Sequence, residues 1–187
     1  MVLLVLLAAE GVTLVDVRGL ITWHIVVGAL LVPPALLKTG STGWRMVRYY
    51  TGGRDYRLAG PPPLPLRLVA PLVVLSTLAL LTTGVLVGVL GPEAARVSRW
   101  GLPVSLLFLH QASFVVWVVV TSLHVLGRIV PAVRIVGNRA ASAVDGRILR
   151  GVALVVVLAL AVWVSTIVLA DSAGWVHDTF RHLRPAG

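Results

Sequence analysis

Three histidines lie in apolar stretches of this chain, at positions 24, 110 and 124. Two of them share one stretch, residues 109–127, which reads LHQASFVVWVVVTSLHVLG and contains no Asp, Glu, Lys or Arg. An α-helix brings residues fourteen apart back to nearly the same face, about 40° short of whole turns, after about 21 Å. In a hydrocarbon layer about 30 Å thick, that spacing puts one imidazole in each half. Ionisable side chains at such depth are costly and are kept for function, and a neutral imidazole is a ligand for transition metals and haem iron. His110 and His124 cannot share one ion, because metal–imidazole bonds of about 2 Å do not bridge that distance. They define two separate sites.

A partner for His110 is available. His24 sits about five residues into the apolar run 20–37, and His110 about seven residues beyond Pro103 at the head of the run 103–130. If both runs enter a membrane from one surface, the two rings lie at matching depth. Two facing imidazoles are then the axial pair of a low-spin haem b held inside a helical bundle. Gly28 follows His24 by one turn on the same face, where a missing side chain would admit a flat macrocycle. Gly84 and Gly88, four apart in the run 66–90, fall at similar depth, with close helix packing as their favoured use.

His124 has no such partner. Fourteen residues after His24 comes Lys38, the single lysine among sixteen basic residues. Burial lowers lysine pKa values, so a neutral amine ligand is conceivable. A side chain snorkelling to the membrane interface is the favoured reading. The expectation is therefore one haem b on His24 and His110, with a second at His124 as a further option. Glu10 interrupts the first apolar run and is either a proton relay beside a quinone site or a carboxylate paired with Arg18, the commoner case. Arg18, Arg96, Arg99 and Trp100 suit haem propionates or ordinary interface anchoring equally well. His177 and His182 fall in a polar tail that reads as an amphipathic interfacial segment.

The elements that must position these residues follow from hydropathy. The 187 residues are 58% hydrophobic and 12% charged, against about 25% charged in an ordinary soluble domain. Part of the solvent must be lipid. The pattern predicts an all-α integral membrane bundle of about five helices forming a single domain over 1–187. Its helices are expected at about 1–17, 20–37, 66–90, 103–130 and 152–170, with a polar tail over 171–187. The first is short for a span, which needs about 20 residues. It has no basic leader, so cleavage as a signal peptide is not expected. Pro33 and Pro34 should kink the far end of the second, and residues from Lys38 to the proline cluster at 61–65 should form a long polar connection.

Charge placement orients the bundle and excludes a function class. The net charge of +9 would suit nucleic acid, yet eleven of the sixteen basic residues fall in two connections, 38–67 and 128–150. By the positive-inside rule these connections are cytoplasmic and the carboxyl terminus is outside. The charge is then a topology signal, and no nucleic-acid partner is expected. With no cysteine, disulfides and thiolate-held clusters are excluded. No phosphate loop, Ser–His–Asp set or carboxylate pair points to hydrolysis or phosphoryl transfer.

The segments ITWHIVVG and LHQASFVVWVVVTSLHVLG, with paired histidines on one helix, resemble the bacterial cytochrome b subunits that serve as haem-bearing membrane anchors of oxidoreductases. The stretch KTGSTGWRMVRYYTGGRDYRLAGPPPLPLRL is similar to actinobacterial members, including membrane portions found with molybdopterin-dependent enzymes. The resemblance covers roughly residues 10–130. It implies that His24, His110 and His124 stand on ligand positions, with Lys38 in place of a fourth histidine. It also implies electron exchange between a periplasmic or membrane redox partner protein and the quinone pool of the plasma membrane. The expected role is an electron-transfer subunit and not a self-contained enzyme. The rival readings are a non-redox scaffold packing through its glycine faces, and a small proton-coupled transporter using Glu10 and the histidines.

Overall fold

A computed structural model describes residues 2–52, 64–98, 101, 103–137 and 147–177. Among these the chain is all-helical: α1 is Val2–Thr13, α2 Ile21–Tyr50, α3 Leu64–Arg96, α4 Leu106–Gly137 and α5 Arg147–Asp171. A short 3-10 turn, Leu14–Asp16, joins α1 to the bend before α2. Of the residues singled out above, the prolines at 61–63, Arg99, Trp100 and His182 lie outside the described residues.

Four helices carry segments long and apolar enough to cross a membrane: Ile21–Tyr50, Leu66–Arg96, Leu106–Gly127 and Gly151–Asp171. The fifth expected span is not among them. At 12 residues, α1 rises about 18 Å, well short of a hydrocarbon core. Between 6% and 22% of each spanning segment is buried inside the protein. Leu75, Val115, Val155 and Trp163 are among many large apolar side chains left exposed. Full burial of one such side chain is worth about 1.5–3 kcal/mol. So much uncovered apolar surface identifies lipid as the surrounding medium of these helices.

Several helix ends differ from the sequence expectation, each for a local reason. α2 does not stop near residue 37 but runs through Pro33 and Pro34 to Tyr50. The prolines remove two backbone donors, and beyond them the chain has its own helical supports. The Ser41 and Thr42 hydroxyls donate back to the Lys38 carbonyl at 2.9 Å. The Arg48 guanidinium lies 6.0 Å from the ring centre of Trp44, one turn before it. The polar connection therefore begins as an extension of the helix. α3 starts at Leu64 and is broken at Gly91, whose φ of 77° and ψ of 172° leave the helix. Glycine adopts that φ without steric cost, and Pro92 is pre-set to start the next turn. α4 begins at Leu106 and not at Pro103, because the Ser105 hydroxyl accepts from the Phe108 N–H at 3.2 Å and caps the helix there. α5 starts within the second basic connection, at Arg147, and not at residue 152.

The helices pair off. α3 lies most extensively against α4, and α2 against α5, while smaller contacts of α3 with α2 and with α5 join the pairs. α1 lies along α2. The buried face of α5 is Val157, Ala161, Ser165 and Val168, a helical repeat that continues to Ser172 in the following turn. Small side chains in that row bring backbones close, as is usual between helices in lipid. Gly88 on α3 receives Val168 of α5, since a methyl group at Gly88 would stand 3.2 Å from its Cγ1. For Gly88 this is the packing use expected; Gly84 instead faces the ring of His110. At the end of the bundle carrying the α3–α4 loop, the residues just after α5 pack against α3. Trp175 is buried, its indole N–H donating to the Val87 carbonyl at 2.9 Å. The Arg96 guanidinium lies 5.5 Å from that ring, which gives this arginine a role at the tail.

Candidate functional site

α2 and α4 scarcely approach each other as backbones, yet two side chains meet between them. The rings of His24 and His110 have centres 6.5 Å apart, with their planes at 65°. His24 reaches from the first turn of α2 and His110 from the second turn of α4. Because α3 and α4 are antiparallel across a short loop, His110 comes level with Thr83 and Gly84 of α3. Both imidazoles lie at the loop end of the bundle, as matching depth in the sequence requires.

Each ring is held through Nδ1. For His24, Nδ1 lies 2.8 Å from Glu10 Oε1 and 3.1 Å from Thr13 Oγ1. The Thr13 hydroxyl donates its single hydrogen to the Glu10 carbonyl at 2.6 Å, so it faces His24 as an acceptor. A carboxylate also only accepts. The proton of a neutral His24 ring therefore sits on Nδ1, and Nε2 carries the lone pair. For His110, Nδ1 lies 3.2 Å from Thr83 Oγ1. That hydroxyl donates back to Ala79 and Leu80 carbonyls at 2.7 and 3.1 Å, which again makes it the acceptor. Ser113, 3.2 Å from Thr83 Oγ1, donates along its own helix to the Leu109 and His110 carbonyls. His110 is thus in the same tautomer, with its Nε2 lone pair available.

Gly84 lets the second ring in. A methyl group there would stand 3.0 Å from His110 Cε1 and 3.5 Å from Nδ1, so the imidazole occupies the space a side chain would fill. Gly28 on α2 is not tight in this way: its neighbour is the Glu10 carboxylate, in ordinary contact 3.5 Å from where a Cβ would stand. The space beside Gly28 is thus faced by an acidic group of α1. Glu10 pairs with His24 and not with Arg18. Its second oxygen, Oε2, is buried with no hydrogen-bond partner among the described residues.

The other expected residues lie elsewhere. His124 is half-buried, with Nδ1 shielded from solvent, about 21 Å along α4 from His110. Lys38 is exposed on α2, the position of a snorkelling residue. His177 is exposed in the tail. Thr13, Thr83 and Ser113 had no distinguishing pattern in the sequence. A hydroxyl in an apolar helix ordinarily bonds back to its own backbone, and all three do so here. Their second role depends on which helix lies opposite.

Among the described residues no group of three or more His, Cys, Asp or Glu side chains is arranged to hold a metal ion. A free zinc ion takes three or four protein ligands. A haem needs two at most, because the porphyrin supplies the four equatorial nitrogens. Two imidazoles on opposite sides of one metal, each bonded at about 2 Å, have ring centres roughly 6 Å apart. The residues present fit such a group in separation, tautomer and number. Comparison with known proteins adds no identification: no family model matches the chain, and no match is found among curated proteins or solved structures.

Proposed function

We propose that the protein is a b-type cytochrome of the bacterial plasma membrane, holding haem b between His24 and His110. The observation that carries this reading is the facing pair itself: two imidazoles from separate helices, centres 6.5 Å apart, each held at Nδ1 so that Nε2 is the ligating atom. Metal-binding histidines characteristically donate their other ring N–H to a carboxylate, carbonyl or similar acceptor, and both rings do.

The bound haem supplies one-electron redox chemistry. Of the chain's own residues, His24 and His110 would hold it, Glu10, Thr13 and Thr83 would orient those two rings, and the apolar faces of α2, α3 and α4 would exclude water. In this reading the protein passes electrons between a periplasmic or membrane redox partner and the quinone pool, with the carboxyl terminus outside the cell. His124 stays a candidate ligand for a second haem. The exposed Lys38 gives no support to an amine ligand there.

The deciding experiment is a reduced-minus-oxidised spectrum of purified protein, with haem content from a pyridine assay. A b-type spectrum at about one haem per chain supports the reading. A colourless preparation from cells supplied with haem overturns it.

A further inference from the structure

The two facing imidazoles are held by unlike groups. His110 Nδ1 meets a hydroxyl, Thr83 Oγ1, at 3.2 Å. His24 Nδ1 meets a carboxylate oxygen, Glu10 Oε1, at 2.8 Å, backed by Thr13 Oγ1 at 3.1 Å. We propose that Glu10 and Thr13 are positioning residues for His24, fixing its Nδ1–H tautomer, and that the carboxylate makes His24 the more electron-donating of the two rings. The redox consequence rests on the haem reading above; the positioning does not.

Four observations converge. The Glu10 side chain is 17% exposed and that of His24 21%, so the pair lies largely out of solvent, where such bonds are strong. Glu10 Oε2 makes no hydrogen bond among the described residues, which leaves the contact to His24 as the carboxylate's polar tie. Thr13 is buried and spends its own hydrogen on the Glu10 carbonyl, tying the two positioning residues to each other. Gly28 lies beside the carboxylate, a Cβ there standing in ordinary contact with Oε1 at 3.5 Å. The arrangement also gives a purpose to α1, which lies along α2. It delivers an acceptor to the back of an imidazole.

A hydrogen bond to an ionised acceptor is roughly twice as strong as a neutral one, and such a bond raises the basicity of a ligating imidazole. A more basic ligand favours the ferric over the ferrous state and lowers the reduction potential. Replacing the carboxylate by an amide of equal size removes the charge and keeps an oxygen acceptor.

The test uses full-length protein in lipid, with nitrogen-15-labelled histidine, and the variants Glu10→Gln, Thr13→Val and Thr83→Val. The wild-type spectrum is expected to show His24 protonated at Nδ1, with Glu10→Gln and Thr13→Val moving that resonance and Thr83→Val moving the one from His110. In the haem-loaded protein, Glu10→Gln is expected to keep haem content and favour reduction about tenfold, a shift of about 59 mV for one electron. Thr83→Val should shift it by less than half as much. A His24 ring protonated at Nε2, or unmoved by both Glu10→Gln and Thr13→Val, overturns the positioning role. An unchanged potential in Glu10→Gln overturns the electronic one. A colourless wild type rejects the haem reading and the electronic role together, while the nitrogen spectrum still decides the positioning. If Glu10→Gln does not fold, the wild-type spectrum and Thr13→Val decide it.

Discussion

At the scale of single residues, the pair His24–His110 concentrates the chemistry of the chain, and substitutions there separate structure from function. His110→Ala is expected to abolish haem binding in purified protein, whereas Lys38→Ala, at an exposed position, should leave haem content unchanged. Full haem retention in His110→Ala would remove the ligand assignment. Gly84→Ala is a subtler probe. Its methyl would stand 3.0 Å from His110 Cε1, closer than a side chain normally tolerates, so the ring must move or the α3–α4 seam must open. The expected result is a weakened haem signal in a protein that still folds, read by spectrum and by helicity together. Glu10 illustrates what residue type alone leaves open. Its acid character in an apolar run marked it as unusual, but the sequence put Arg18 forward as the commoner partner, and the structure gives it His24.

At the scale of elements, α3 and α4 are joined by polar ties along one seam: Thr77 to Trp117, and Thr83 to both His110 and Ser113. The indole N–H of Trp117 donates to Thr77 Oγ1 at 3.0 Å. Interhelical hydrogen bonds in membrane proteins average about 0.6 kcal/mol. Thr77→Val should therefore lower stability in detergent by about that amount without disturbing the histidine pair. Gly91 is a different case. Its φ of 77° with ψ of 172° falls in a region essentially confined to glycine, which costs other residues about 1–3 kcal/mol. Gly91→Ala is expected to destabilise the protein by about that much in a thermal melt, with the larger loss at the loop end. The proline argument for α2 shows how element boundaries escape a sequence. Two consecutive prolines read as a kink near the far end of a helix over 20–37, yet the following hydroxyls and the Trp44–Arg48 contact carry the helix on to Tyr50.

At the scale of the whole molecule, four apolar helices expose most of their surface, and the medium that covers it is lipid. The distribution of basic residues predicts which way the bundle stands. A tag placed after Gly187 should react with a membrane-impermeant reagent in intact spheroplasts; labelling that requires lysis would invert the proposed orientation. The tail is fastened at the same end by Trp175 and Arg96.

The all-helical character, the apolar spans and the depth match of His24 with His110 were legible in the sequence, because they depend on hydropathy, on the rise of a helix and on counting residues from a boundary. Those quantities are local or linear in the chain. What the sequence left undetermined was everything that depends on rotation and neighbour choice: that α2 and α4 present their rings to one another, that Thr83 and Glu10 stand behind those rings, and that Gly84 makes room for an imidazole. Helical periodicity places a residue on a face but does not say which helix that face meets. That choice is made by the packing of small side chains on α3 and α5, and only the assembled bundle decides it.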